Sequence, residues 1–297
     1  MFVRNMMMAS SVFPALVLAV LMQCPVTPSV HAKELGAAGV TRMQLFVEPY
    51  QAAFYLLMPE NWRTEGGMRP SGVAWNKLDL VESNIGFRAT SPDGRSRFGW
   101  YPRFYFIDPA VYARSSGGIL HPAVGSVMDG AWVYPAMGVA DFARNIVFQQ
   151  LARKELGRAR LVGRFVEVPA LRKLAPQVAS QVEAGYVDFE LEEGGKPMRG
   201  RLYTTLYTLG DSGLWSNIGT AAWIAPASRV REDSRLMEYS MRSFHFNPDW
   251  VKRAAAAEIK RGTEMARVTR KTMNRSDAGR RSGWLGLRIP RRSFTKC

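Results

Sequence analysis

Ser212 lies in Gly210-Asp211-Ser212-Gly213, a setting in which a serine hydroxyl can serve as the nucleophile of acyl transfer. That chemistry needs a base to take the hydroxyl proton, a carboxylate to orient the base, and backbone donors for the oxyanion. Beyond residue 32 the only histidines are His121, in Ile-Leu-His-Pro-Ala, and His245, between Phe244 and Phe246. Gly, Asp and Ser are also the residues that a tight loop between two apolar strands prefers. The sequence therefore favours a turn at 210–213, with a hydrolase centred on Ser212 as the rival.

Comparison with trypsin-like enzymes weakens the rival. There another Gly follows the motif, whereas Leu214 follows it here, and Thr220-Ala221-Ala222 leads into Trp223 where those enzymes carry histidine. Glu190 and Glu192 share one side of an alternating strand and are the second candidate hydrolytic centre, as paired acids. Adjacent acids on one strand face more commonly form a solvated sheet surface. No HExxH or CxxC pattern is present, so no metal site is expected. No GxxxxGK[ST] or GxGxxG run is present either, and no cofactor is expected. No residue is assigned a catalytic role.

The richest binding chemistry lies in Arg95-Ser-Arg97-Phe-Gly-Trp100-Tyr101-Pro-Arg103-Phe-Tyr105. Guanidinium groups interleaved with aromatic rings make stacking platforms for sugars, bases or lipid headgroups. Arg95, Arg97, Trp100, Tyr101, Arg103 and Tyr105 are the candidate ligand-binding residues. The alternative is a strand that turns Phe98 and Trp100 inward, followed by aromatics that close the edge of the core.

These side chains need elements to position them. Residues 51–58 read as a strand ended by Pro59. Residues 85–102 read as a hairpin, with Ser91-Pro92-Asp93-Gly94 as a type I turn. Residues 115–138, spotted with Gly and Pro, read as a long loop. Val139, Phe142, Ile146 and Leu151 recur at helical spacing and predict a helix that Gly157 ends. Arg-Leu-Val-Gly-Arg-Phe-Val-Glu-Val reads as extended, and 169–185 as a helix kinked near Pro176. Three strands follow as an antiparallel meander, turning at Glu193-Gly194-Gly195-Lys196 and at 210–213. A helix over 228–244 carries Val230, Met237, Met241 and Phe244 on one face. Asn247 and Pro248 then cap and start a polar helix running to about Asn274. Hairpins and a meander covered by helices make an α+β fold, an antiparallel sheet with an extra C-terminal helix, in a single domain over 33–246.

Ala-Ala-Phe-Tyr-Leu-Leu-Met-Pro-Glu-Asn-Trp, with Phe54, Pro59 and Trp62, resembles the opening strand of PsbP-like proteins, and the 91–94 hairpin follows in the same order. Ser243-Phe244 before Asn247-Pro248-Asp249-Trp250 is similar to exported bacterial proteins of unknown function. The resemblance implies a PsbP-like α+β fold and a role in binding or assembly, and it transfers no catalytic residue.

The two ends bear on location. Arg4, an apolar run from Val12 to Met22 and Val30-His31-Ala32 read as a secretory signal, cleaved between Ala32 and Lys33; the run is shorter than the ~20 residues that span a bilayer. Lipidation at Cys24 is the competing reading, although Gln23 stands where a lipoprotein signal takes a small residue. An exported, periplasmic or secreted protein is expected, with no transmembrane helix after signal removal. Of the formal charge of +15, +6 belongs to residues 275–297 and +8 to residues 33–274. Such a surface suits an anionic partner, a lipid or an acidic glycan, or an unknown envelope protein. Export argues against nucleic acid. Residues 275–297 read as a basic, disordered tail, as an interfacial segment using Arg280, Arg281, Trp284, Arg288, Arg291 and Arg292, or as the product of a displaced reading frame. In the interfacial case the chain is a membrane-surface protein.

Overall fold

The computed structural model describes residues 42–69, 84–115, 117–119, 121–128 and 130–254, with 256, 257, 260, 263 and 267. The expected cleavage point at Ala32 and Lys33 and the tail residues Arg280, Arg281, Trp284, Arg288, Arg291 and Arg292 lie outside the described residues. The chain divides into two units, residues 16–252 and residues 253–297 with 1–15. All described strands belong to the first.

Two sheets organise that unit. Strands β1 (Met43–Val47), β2 (Phe54–Pro59) and β13 (His245–Phe246) form a small antiparallel sheet in the order β1-β2-β13. The large sheet contains β3 (Arg63–Arg69), β4 (Asn84–Thr90), β5 (Arg97–Trp100), β9 (Arg160–Glu167), β10 (Gln181–Glu193), β11 (Lys196–Thr208) and β12 (Leu214–Pro226). Its order is β3-β4-β5-β12-β11-β10-β9, every neighbour antiparallel. Strands β6 (Tyr105–Ile107), β7 (Val127–Met128) and β8 (Ala131–Val133) extend it beside the far end of β12, with β6 and β8 parallel. The architecture is mixed α+β.

Alternation along paired strands separates two faces. Phe87, Trp100, Ala221, Tyr203 and Tyr186 oppose one another across β4, β5, β12, β11 and β10 and share one face. Arg88, Gly99, Ala222, Leu202 and Val187 are the next row and share the other. The first face is covered by the small sheet and helix α4 (Val230–Arg242), whose Phe54, Leu56 and fully buried Met237 share a core with Phe98 of β5. Val230, Met241 and Phe244 pack there too, as the 228–244 periodicity requires. Asn247 caps the next helix, its Oδ1 accepting from the Asp249 amide at 3.0 Å.

The second face lies under a helical segment, α2 (Val139–Phe142), a π-helical stretch (Ala143–Leu151) and α3 (Arg153–Leu156). The wider i→i+5 turn lets three consecutive residues, Ile146, Val147 and Phe148, all reach the core. Glu183 on β10 caps the start, its Oε1 accepting from the Val139 amide at 2.7 Å. Gly157 follows as expected, but not in a left-handed cap: its φ is −60°, and a Cβ there would approach the Arg153 carbonyl oxygen to 2.5 Å.

Two local readings need correction. Residues 169–185 are not one helix: a 3-10 turn spans Pro169–Leu174, and β10 already begins at Gln181. Pro176 denies the chain a further helical amide, and Val182 and Ala184, spaced by two as in a strand, pair with β11. The 115–138 loop contains β7 and β8. Before it, Pro109–Ser115 forms helix α1, started by Asp108, whose Oδ1 accepts from the Ala110 and Val111 amides at 2.9 and 3.1 Å.

Candidate functional site: a cleft between sheet and helix

A cleft of about 330 Å³ opens on the second face, where β4 and β5 pass the end of the π-helical stretch. Small residues make it. Gly99 and Ala222 form the floor, and Gly86 leaves its side-chain direction empty, with nothing within 4 Å of where a Cβ would stand. Leu151 and Glu155 supply the helical wall. A π-helical stretch ending against a cleft is a frequent mark of a functional position.

Two guanidinium groups line the cleft. Arg88 on β4 is ion-paired with Glu155 on α3 and so ties sheet to helix. Arg97 on β5 meets Glu193 at 2.9 Å; its side chain is only 12% exposed. Both terminal nitrogens of Arg97 reach that carboxylate, while its Nε is buried with no partner among the described residues. Burial pushes the Tyr101 hydroxyl up to about 12, against the opposing pull of Arg88 and Arg97. Tyr101 therefore keeps its proton at neutral pH and remains a donor. An assembly of guanidinium and phenol donors over an apolar floor can orient a ligand that carries acceptor oxygens.

The six candidate ligand residues separate into three places. Arg97, Trp100 and Tyr101 all border the cleft, although the Trp100 ring packs on the opposite face, 5.6 Å from Phe87 and 5.2 Å from Phe244. Arg103 and Tyr105 belong to a second cluster: the Arg103 guanidinium lies 4.6 Å from the Tyr105 ring and hydrogen-bonds Tyr207 and the Ser216 Oγ. Arg95 is exposed in the hairpin turn, its amide donating to Asp93 Oδ1 at 3.1 Å. Ser91 and Asp93 organise that turn, and the Ser91 hydrogen bond holds the Asp93 carboxyl below its usual value despite some burial.

The Ser212 hydroxyl is engaged in its own turn, donating to the Leu209 carbonyl at 2.5 Å and accepting from the Leu214 amide at 3.2 Å. His121 is exposed, with Nε2 at 3.0 Å from the Gly118 carbonyl, and the His245 ring lies 5.7 Å from Tyr55. Glu190 pairs with Arg160 at 3.5 Å on the outer strands of the sheet, while Glu192 is exposed.

Sequence reasoning did not find Arg88, Glu155 or Gly86, which come from separate elements and share no motif. It also missed Glu48, a carboxylate only 1% exposed that accepts from the amides of Tyr50, Gln51, Ala53 and Met68 at 2.8 to 3.2 Å. Gly67 is required beside it, since a Cβ there would meet Glu48 Oε1 at 2.5 Å. On the first face Arg201 stacks 3.8 Å from the Tyr186 ring and binds Asp188 at 2.7 Å and Glu238 at 3.3 Å. Burial alone would lower the Arg201 pKa, but its hydrogen bonds to Asp188 and Tyr203 raise it overall. This network pins α4 to the sheet.

No protein-family model and no curated protein matches the sequence. A Bacteroides thetaiotaomicron protein of solved structure is 13% identical at a TM-score of 0.25, over 68% of this chain and 48% of that one, so the match spans about half of its length. LpqN of Mycobacterium tuberculosis, involved in cell envelope biogenesis, is 9% identical at a TM-score of 0.24, over 71% of this chain and 93% of that one. Likeness at these scores carries no argument about fold or function.

Proposed function

We propose that this chain is an exported cell-envelope protein that acts by binding, on a PsbP-like α+β frame, and that the cleft between β4–β5 and the 139–156 helical segment is its ligand site. The observation that carries the reading is the space left at Gly86, over the small floor residues Gly99 and Ala222 and beside Arg88 and Arg97. Side chains ordinarily fill such space, and donors at its rim favour an occupant that carries acceptor oxygens. The ligand class that suits it is a small molecule with acceptor oxygens on an apolar ring, as in an acidic sugar. A hydrolase centred on Ser212 has less support, because that hydroxyl is held by turn hydrogen bonds.

The test is titration calorimetry with glucuronate, and with glucose as the uncharged control, on the natural protein and on Gly86→Leu. Gly86 has no positive φ, and open space surrounds its missing Cβ, so leucine occludes the cleft without backbone strain. Saturable glucuronate binding that disappears in Gly86→Leu is the expected result. Binding that survives occlusion, or no binding of either sugar, would overturn the assignment.

A further inference from the structure

The free edges of the two sheets are unequally protected. Strand β9 is bulged where its register with β10 shifts, at Gly163 with φ 79°, and it presents exposed Arg160 and Arg164. Strand β3 carries Arg63, Glu65 and Arg69. Bulges and charges at an edge prevent further strands from adding. Strand β1, Met-Gln-Leu-Phe-Val, has neither. Its five residues pair with β2 in unbroken register, it contains no charge, Gly or Pro, and Leu45 and Val47 are 62% and 49% exposed.

Hydrogen-bond parity shows what that edge offers. The Glu48 amide donates to the Phe54 carbonyl and the Glu60 amide to the Arg42 carbonyl. Antiparallel bonding alternates, so Arg42, Gln44, Phe46 and Glu48 direct their backbone groups toward β2. Met43, Leu45 and Val47 direct theirs away from it, and among the described residues β1 pairs with no other strand. The side chains of these same three residues stand on the outer face of the small sheet, in register with Pro59, Leu57 and Tyr55.

We propose that β1 is a homodimer interface, in which β1 of a second copy pairs antiparallel about a two-fold axis at Leu45. The strand is self-complementary in this register. Leu45 meets Leu45, and Met43 meets Val47, so every outward amide and carbonyl of the three residues gains a partner. No like charges are opposed, and the small sheets join into one continuous six-stranded sheet whose outer face is apolar across its four central strands, with His245 on the strand at each side. An isologous contact of this kind closes on itself.

The experiment combines sedimentation equilibrium with residue-resolved amide exchange on the full chain. As concentration rises, the amides of Met43, Leu45 and Val47 are expected to gain protection in step with dimer formation, while those of Gln44 and Phe46, already bonded to β2, do not change. Leu45→Lys sets like charges opposite each other across the axis and weakens the dimer by about tenfold or more. Leu45→Pro removes an amide that β2 does not use, and abolishes the central bonds. Protection that never depends on concentration at the three odd-numbered positions overturns the proposal, as does a dimer that Leu45→Lys leaves unchanged.

Discussion

Along β4 and β5 the two faces of the large sheet use the same strands to opposite ends, although farther across the sheet both faces are packed. On the first, Phe87 alone lies within 6.3 Å of the ring centroids of Phe46, Phe54, Phe98 and Trp100, and it is 2% exposed. One residue along β4, Arg88 stands on the second face at the rim of a cleft floored by Gly99 and Ala222. A strand's two-residue period thus lets one segment seal a core and line an open site, with side-chain volume as the deciding variable. The sealed face supplies the stability that an unfilled site beside it forgoes.

Substitutions on the two faces should therefore differ most in their effect on stability. Phe87→Ala leaves a large void among aromatic rings and is expected to cost about 4 kcal/mol, read as a lowered denaturant midpoint in urea titration. A loss of under about 1 kcal/mol would break the comparison, because the first face would then be no better filled than the second. Glu48→Gln keeps the volume but turns an amide NH₂ toward backbone donors that the carboxylate had satisfied. It should cost about 2 kcal/mol in the same titration, and thermal unfolding should move down by several degrees. Gly86→Leu, on the open face, is expected to change stability by less than about 1 kcal/mol in either direction. A large destabilisation there would mean that the cleft is tightly packed rather than vacant.

What was legible in the sequence was what neighbours in sequence decide. Val187, Phe189 and Leu191 alternate with acids, and Gly194 and Gly195 take the positive φ of a tight turn, so the meander could be read directly. The Ser91–Gly94 turn was equally clear, its Gly94 amide donating to the Ser91 carbonyl at 2.9 Å. Residues 181–185 were misread by extending the preceding helical pattern past Pro176, although Val182 and Ala184 are spaced by two and pair with β11. The cleft was illegible for a different reason. It is defined by the absent side chain at Gly86, by the small floor at Gly99 and Ala222 and by an ion pair between Arg88 and Glu155, positions that only the fold makes adjacent. Arg97 and Tyr101 were found because they share a short stretch with visible chemistry, but the same stretch also delivered Arg103 and Tyr105, which turn to a different cluster.

The crossover at the centre of the large sheet sets the order in which the chain can become a protein. Strand β5 has β12 as its inner partner, and Phe98 lies opposite Trp223, far later in the sequence. Until β12 emerges, the hairpin of β4 and β5 has one open flank, and neither face of the sheet can be completed. Non-local closure of this kind slows folding to the millisecond-to-second range. A chain whose central strand spans Leu214–Pro226 can complete neither face of its large sheet before that strand is available.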